Sequence, residues 1–78
     1  MPLYFFHIRR NGECVEDEEG VELPDLNAAR SEASSSVRDL VGSGIPMDTS
    51  DAIEITDRDR QVLAFLTIGE VLARDGKG

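Results

Sequence analysis

The chain has 78 residues, 40% of them hydrophobic, which suits one domain with one small core rather than a disordered chain; 16 acids against 8 bases leave a formal charge of −8. That sign argues against nucleic acid, whose phosphates are met by Lys and Arg, and no apolar run approaches the roughly 18–20 residues of a membrane span. The single cysteine, Cys14, rules out an internal disulfide framework and any cysteine-based zinc site.

Residues 3–9 are aromatic and rich in β-formers, and Asn11-Gly12 follows them. That dipeptide is the strongest short hairpin signal, because both central positions of a type I′ turn need positive φ. A two-residue loop fixes the register: Arg10 faces Glu13, Arg9 faces Cys14, Ile8 faces Val15 and His7 faces Glu16. Paired residues share a sheet face, so Tyr4, Phe6, Ile8 and Val15 are expected on the core side. Leu3, Phe5, His7, Arg9, Cys14 and Glu16 are expected on the other.

Residues 16–20 end the hairpin, and Val21-Glu22-Leu23-Pro24 reads as an extended link, since Pro24 disfavours helix at Leu23. Asp25 is the N-cap of a helix whose apolar stripe runs through Leu26, Ala29, Ala33, Val37, Leu40 and Val41. Ser34, Ser35 and Ser36 are poor helix formers, so this helix depends on docking. Gly42 or Gly44 ends it, with Pro46 just beyond.

Residues 52–56 alternate as a half-buried strand does. A polar turn, Asp57-Arg58-Asp59-Arg60, leads into a second long strand over 61–68 that Gly69 breaks. An even-length turn would pair Ile55 with Val62 and Ile53 with Ala64. Residues 70–74 suit one helical turn. The layout is α+β, in the order β-β-α-β-β. It predicts a four-stranded antiparallel sheet of two hairpins with one helix on one face and a short helical turn at the C-terminal end. Residues 1–75 form the single domain, and 76–78 are expected to fray. The first and last strands, the longest and most apolar, are expected to pair at the centre.

One helix covers one face of such a sheet. The other face is left with Leu3, Phe5, Leu63 and Phe65, an apolar patch that a soluble monomer would not expose. Either Val71 and Leu72 fold over it or another molecule does. A second copy is the favoured occupant, since so small a core rarely supplies more than about 3–5 kcal/mol alone.

No catalytic constellation stands out. His7 is the only histidine, and no nucleophile is placed beside it. Cys14 has no predicted activating neighbour. The three serines lack a G-x-S-x-G context, and Gly42-Ser43-Gly44 follows a helix instead of opening one. Glu13, Glu16, Asp17, Glu18, Glu19, Glu22 and Asp25 form an acidic segment without a base, but their spacing is not that of an EF-hand. No metal, cofactor or catalytic residue is therefore expected. The bases are scattered, and Arg9, Arg10, Arg58 and Arg60 would gather only if both hairpin turns lay at one end of the sheet. Met1-Pro2-Leu3-Tyr4-Phe5-Phe6-His7 lacks a basic n-region, so no signal peptide is expected and the cytoplasm is the expected location.

Residues 2–33 resemble a family of short bacterial proteins of unknown function. The matching residues are Pro2, Tyr4, Phe5, Phe6, Arg9, Gly12, Asp17, Glu18, Glu19, Gly20, Glu22, Leu23, Pro24, Asp25, Leu26, Ala28, Ala29, Glu32 and Ala33. They reproduce the family's Pro-x-Tyr-Phe-Phe opening, its Asp-Glu-Glu-Gly-x-Glu-Leu-Pro-Asp-Leu run and its Ala-rich helix. The second half is similar in pattern only, and the turn at 57–60 lacks the glycine such turns often carry in that family. The resemblance implies a fold and no known activity. A fainter likeness is to HicB-like antitoxin domains, whose long Gly-rich second strand is missing here.

Two functional expectations follow. The first is a cytoplasmic interaction module without catalytic activity, a homodimer through Leu3, Phe5, Leu63 and Phe65, with neither nucleic acid nor membrane as partner. The second is an acidic, antitoxin-like or inhibitor protein that captures a basic partner through residues 13–25, with Glu16, Asp17, Glu18, Glu19 and Glu22 as its surface.

Overall fold

The computed structural model describes residues 1–75; the 76–78 stretch expected to fray lies outside the described residues. The elements are β1 (Leu3–Arg10), β2 (Glu13–Val15), β3 (Val21–Glu22), α1 (Leu26–Gly42), β4 (Ala52–Thr56), β5 (Val62–Thr67) and α2 (Ile68–Asp75). The sheet is antiparallel throughout, in the order β2-β1-β4-β5, with β3 also paired to β1.

The first hairpin forms as its sequence dictates. Asn11 and Gly12 have φ of 50° and 78°, and Ile8, Arg9 and Arg10 face Val15, Cys14 and Glu13. The link at 21–22 is more than a link: it returns to β1 as β3, setting Leu3 opposite Glu22 and Tyr4 opposite Val21.

The strand order corrects the expected pairing of first and last strands, because β1 pairs with β4. Burial explains it. Ala52, Ile53, Ile55 and Thr56 are all buried, on both faces, as a central strand requires; β5 leaves Val62 and Phe65 exposed and lies at the edge. The β4–β5 register is also two residues away from the even-turn expectation, with Ile55 opposite Ala64 and Ile53 opposite Leu66. The connection is an odd-length turn over 57–61. The Asp57 Oδ1 atom accepts from the N–H groups of Asp59 (2.8 Å) and Gln61 (2.9 Å). Arg60 takes the left-handed conformation at φ 65°, and a bulge between Ile55 and Thr56 absorbs the mismatch. Phe5 lies opposite Thr56 and Arg9 opposite Ala52. The 57–61 turn and the Asn11-Gly12 turn therefore sit at opposite ends of the sheet, and Arg10 is held apart from Arg58 and Arg60.

Helix α1 is capped by Asp25, whose Oδ1 accepts from the Ala28 N–H at 2.9 Å. It buries Ala29, Ala33 and Val37 completely, while Val41, expected on the same stripe, is exposed. Small residues on that stripe bring the helix close to the sheet. The core it closes over contains Tyr4, Ile53, Ile55, Ala64 and Leu66, with Phe6 and Ile8 packed at its margin. Val15 is expected there as well, but in β2 it is 60% exposed.

The C-terminal element is longer than one turn. Gly69 does not end the strand in a loop but lies in the first turn of α2, where an added Cβ would fall 3.3 Å from Thr49 Cβ and its N–H donates to the Thr49 carbonyl at 3.1 Å. Ile68 and Val71 join the core beneath α1. Residues 69–73 thus pack on the same side of the sheet as α1 and leave the opposite face uncovered.

Candidate functional site

The helix-free face is built by alternation. Leu3, Phe5, His7 and Arg9 of β1 share it with Ala52, Glu54 and Thr56 of β4 and with Phe65, which lies opposite Glu54. It is a mixed surface. Phe65 is 49% exposed, and the Phe5 and His7 rings stack 6.4 Å apart with an interplanar angle of 4°. The Arg9 guanidinium meets the Glu54 carboxylate at 3.3 Å.

Of the apolar residues expected here, Leu3, Phe5 and Phe65 are in place. Leu63 is not: it packs against the core. The bulge leaves it between the Ile55–Ala64 and Thr56–Val62 pairs, so simple alternation fails there, and Val62, 57% exposed, is the β5 residue opposite Thr56. Leu3 and Phe5 are half-buried because Gly20 lies over them. A Cβ at Gly20 would fall 3.0 Å from Phe5 Cε2 and 3.1 Å from Leu3 Cγ, and its φ of +75° is itself a glycine conformation.

The loop that carries Gly20 is held by Asp17. One carboxylate oxygen accepts from the Phe6 N–H at 3.1 Å, on the β1 edge between its pairings with β2 and β3. The other accepts from the N–H groups of Glu19 (3.1 Å) and Gly20 (3.2 Å). Partial burial pushes this carboxyl's pKa up, but the donors from Phe6, Gly20 and Glu19 outweigh it and hold the pKa below the ordinary 3.8. A positive charge on His7 would add to that lowering only when the ring is protonated.

The Asp17 N–H donates to His7 Nδ1 at 3.0 Å, so Nδ1 carries no proton, and Nε2–H is left to donate to Thr56 Oγ1 at 2.9 Å. The His7 ring is thus tied to the backbone of residue 17 and to Thr56, and not to Glu16, the partner expected from the hairpin register. The chain of Asp17, His7 and Thr56 differs from a catalytic relay: the carboxylate is taken by the N–H groups of Phe6, Glu19 and Gly20 and not by the ring, and Thr56 is only 4% exposed.

Between the 16–20 loop and the 57–61 turn lies an open depression of about 580 Å³. Phe5, His7, Glu54 and Thr56 form its floor. Glu16, Asp17 and Glu18 line one side, and Asp57, Arg58 and Arg60 the other; Arg9 and Cys14 also line it. Of the five acids expected to face a partner, Asp17 spends its carboxylate on backbone donors, and Glu16, Glu18, Glu19 and Glu22 are exposed. The arginine side was missed in the sequence because nothing local places the 57–61 turn beside the 16–20 loop. The Asp17 cap left a signal, since Asp-x-x-Gly is a turn in which the side chain accepts from the backbone ahead of it.

Among the described residues no group of three His, Cys, Asp or Glu could hold a metal ion, and no helix is long and apolar enough to cross a membrane. No curated protein and no solved structure matches the chain. The model of a domain of unknown function, DUF6894, matches residues 3–69, from the first residue of β1 into the first turn of α2. With both hairpins and α1 inside that match, the chain belongs to the DUF6894 family.

Proposed function

We propose that the protein is a small cytoplasmic protein-interaction module without catalytic activity, and that it forms a homodimer through the helix-free sheet face. The observation that carries this reading is Phe65, half-exposed and across Glu54 from His7, on a face that neither helix covers. A large aromatic at such a place contributes most when a partner removes it from water. Native mass by size-exclusion chromatography with light scattering tests it. The wild type is expected near twice 8.6 kDa at micromolar concentration, and Phe65→Asp combined with Phe5→Asp near the monomer mass. An unchanged oligomer in the double variant overturns the reading.

A second reading is supported by Glu16, Glu18, Glu19 and Glu22, which are exposed and, among the described residues, make no ion pair. Such a cluster attracts a basic partner and speeds its encounter. In this reading the protein retains a basic protein at low salt and releases it when Glu16, Glu18 and Glu19 are changed to Lys. Retention by the reversed variant counts against it.

A further inference from the structure

The depression on the helix-free face is bipolar. Glu16 and Glu18 stand on one side of it and Arg58 and Arg60 on the other, beside Asp57, whose Oδ1 is taken by the N–H groups of Asp59 and Gln61; Phe5 lies between. All four charged side chains are exposed, and among the described residues none of them makes an ion pair. The opposite charges share a cleft but do not reach each other across it.

That arrangement selects its occupant. A basic partner would meet Arg58 and Arg60, and an acidic one would meet Glu16 and Glu18; each gains on one side and loses on the other. A second copy, turned over about a two-fold axis that lies in the plane of the interface and runs between the two sides, satisfies both at once. The acidic side of each copy then falls on the arginine side of the other, and the Phe5 rings approach near the axis. An isologous contact of this kind closes on itself as a dimer. It also meets the objection that two chains of charge −8 repel, because the repulsion is offset where the contact is made.

Resting on the homodimer reading above, we infer that the dimer is registered by reciprocal pairing of Glu16 and Glu18 in each copy with Arg58 and Arg60 in the other. Exposed rim charges of this kind set register and association rate more than affinity. Salt is therefore expected to weaken the wild-type dimer without abolishing it, and the apolar centre persists.

The test is a charge swap between two variants. One carries Glu16→Arg and Glu18→Arg. The other carries Arg58→Glu and Arg60→Asp, Asp being chosen because it tolerates the left-handed conformation that Arg60 holds at φ 65°. All four positions are exposed, and circular dichroism checks that both variants fold. Alone, each variant is expected to dimerise at least about tenfold more weakly than wild type. Mixed in equal amounts, they are expected to form a heterodimer, identified by native mass spectrometry, that outcompetes both homodimers. The first variant makes the argument sharp. It raises the chain's charge of −8 by four, so general repulsion would make it associate more tightly, whereas reciprocal pairing makes it associate less.

A wild-type dimer that dissociates with the Phe5 and Phe65 changes but keeps its affinity with the charge changes overturns this pairing and leaves the homodimer reading standing. A mixture that yields no heterodimer also overturns it. A wild type that stays monomeric overturns both.

Discussion

The two faces of one sheet differ more than the alternation of their strands suggests. On the helix side, Tyr4, Ile53, Ile55, Ala64 and Leu66 are sealed by Ala29, Ala33, Val37 and Val71. On the other side the same strands present Phe5, His7, Arg9, Glu54, Thr56 and Phe65, where aromatic rings alternate with satisfied polar groups. The first face is held by apolar area and shape, the second by a few specific hydrogen bonds. Their failure modes should therefore differ. A change on the helix side should unfold the domain, and a change on the other should loosen a loop or an interface while the domain persists.

The largest effect is expected at the centre of the helix side. Ile55 is completely buried in β4, between Phe6 and Ala64. Ile55→Ala removes buried methyl and methylene groups and leaves a cavity, which costs about 2–5 kcal/mol. In a domain of this size that approaches the whole stability. Urea denaturation is expected to find the variant largely unfolded or at a strongly lowered midpoint. A midpoint close to wild type would mean that the core collapses around the vacancy, and the contrast between the faces would weaken.

A smaller and more local effect is expected on the other face, at Asp17. Asp17→Ala leaves the N–H groups of Phe6, Glu19 and Gly20 without their acceptor, at a cost of about 1–3 kcal/mol. Amide hydrogen exchange should accelerate at Phe6, Glu19 and Gly20 and stay slow at Ile53 and Ile55. Uniform acceleration would mean that the loop and the core open as one unit. Acid should act at the same place. The Asp17 carboxyl has its pKa lowered in the folded chain, since its backbone donors outweigh partial burial. Its contribution is therefore fully present above the ordinary value of 3.8, and is lost as pH falls through that value and then through the lower folded one. The Asp17→Ala variant should lack this part of the acid dependence.

The residues themselves explain why some of this was legible in the sequence. Asn11-Gly12 fixes the β1–β2 register locally, because a two-residue turn with positive φ at both positions has few alternatives. The helix follows from Pro24, Asp25 and a stripe of small apolar residues. Strand order has no local signature; it is decided by which strand can be buried on both faces, and Glu54 in the middle of β4 disguised the answer. The β4–β5 register was hidden by Asp57, whose side chain closes an odd-length turn that carries no glycine. The candidate site was legible in part. Alternation places Phe5 and Phe65 on one face, but Leu63 leaves that face at a bulge. The bipolar cleft exists only because the fold brings the 16–20 loop and the 57–61 turn, about 40 residues apart, to opposite sides of the Phe5–His7 stack.

The smallest effect is expected at the Arg9–Glu54 pair, and it sharpens the description of the helix-free face as one of satisfied polar groups. The pair spans 3.3 Å, with the Arg9 side chain 51% exposed and that of Glu54 only 13% exposed. An exposed pair contributes about 0.2–1 kcal/mol, but its partners are unequal. Glu54→Gln removes the less solvated charge and leaves an exposed guanidinium free to hydrate, so its cost should fall at the low end of that range. Arg9→Ala leaves a largely buried carboxylate without its counter-ion, and its cost should be the larger of the two, about 1 kcal/mol. A double-mutant cycle by urea denaturation at low and high salt measures both. Equal costs would mean that water reaches Glu54 as readily as it reaches Arg9. The β4 centre of this face would then be wet, and the apolar contribution to any interface there would come from Phe5 and Phe65 alone.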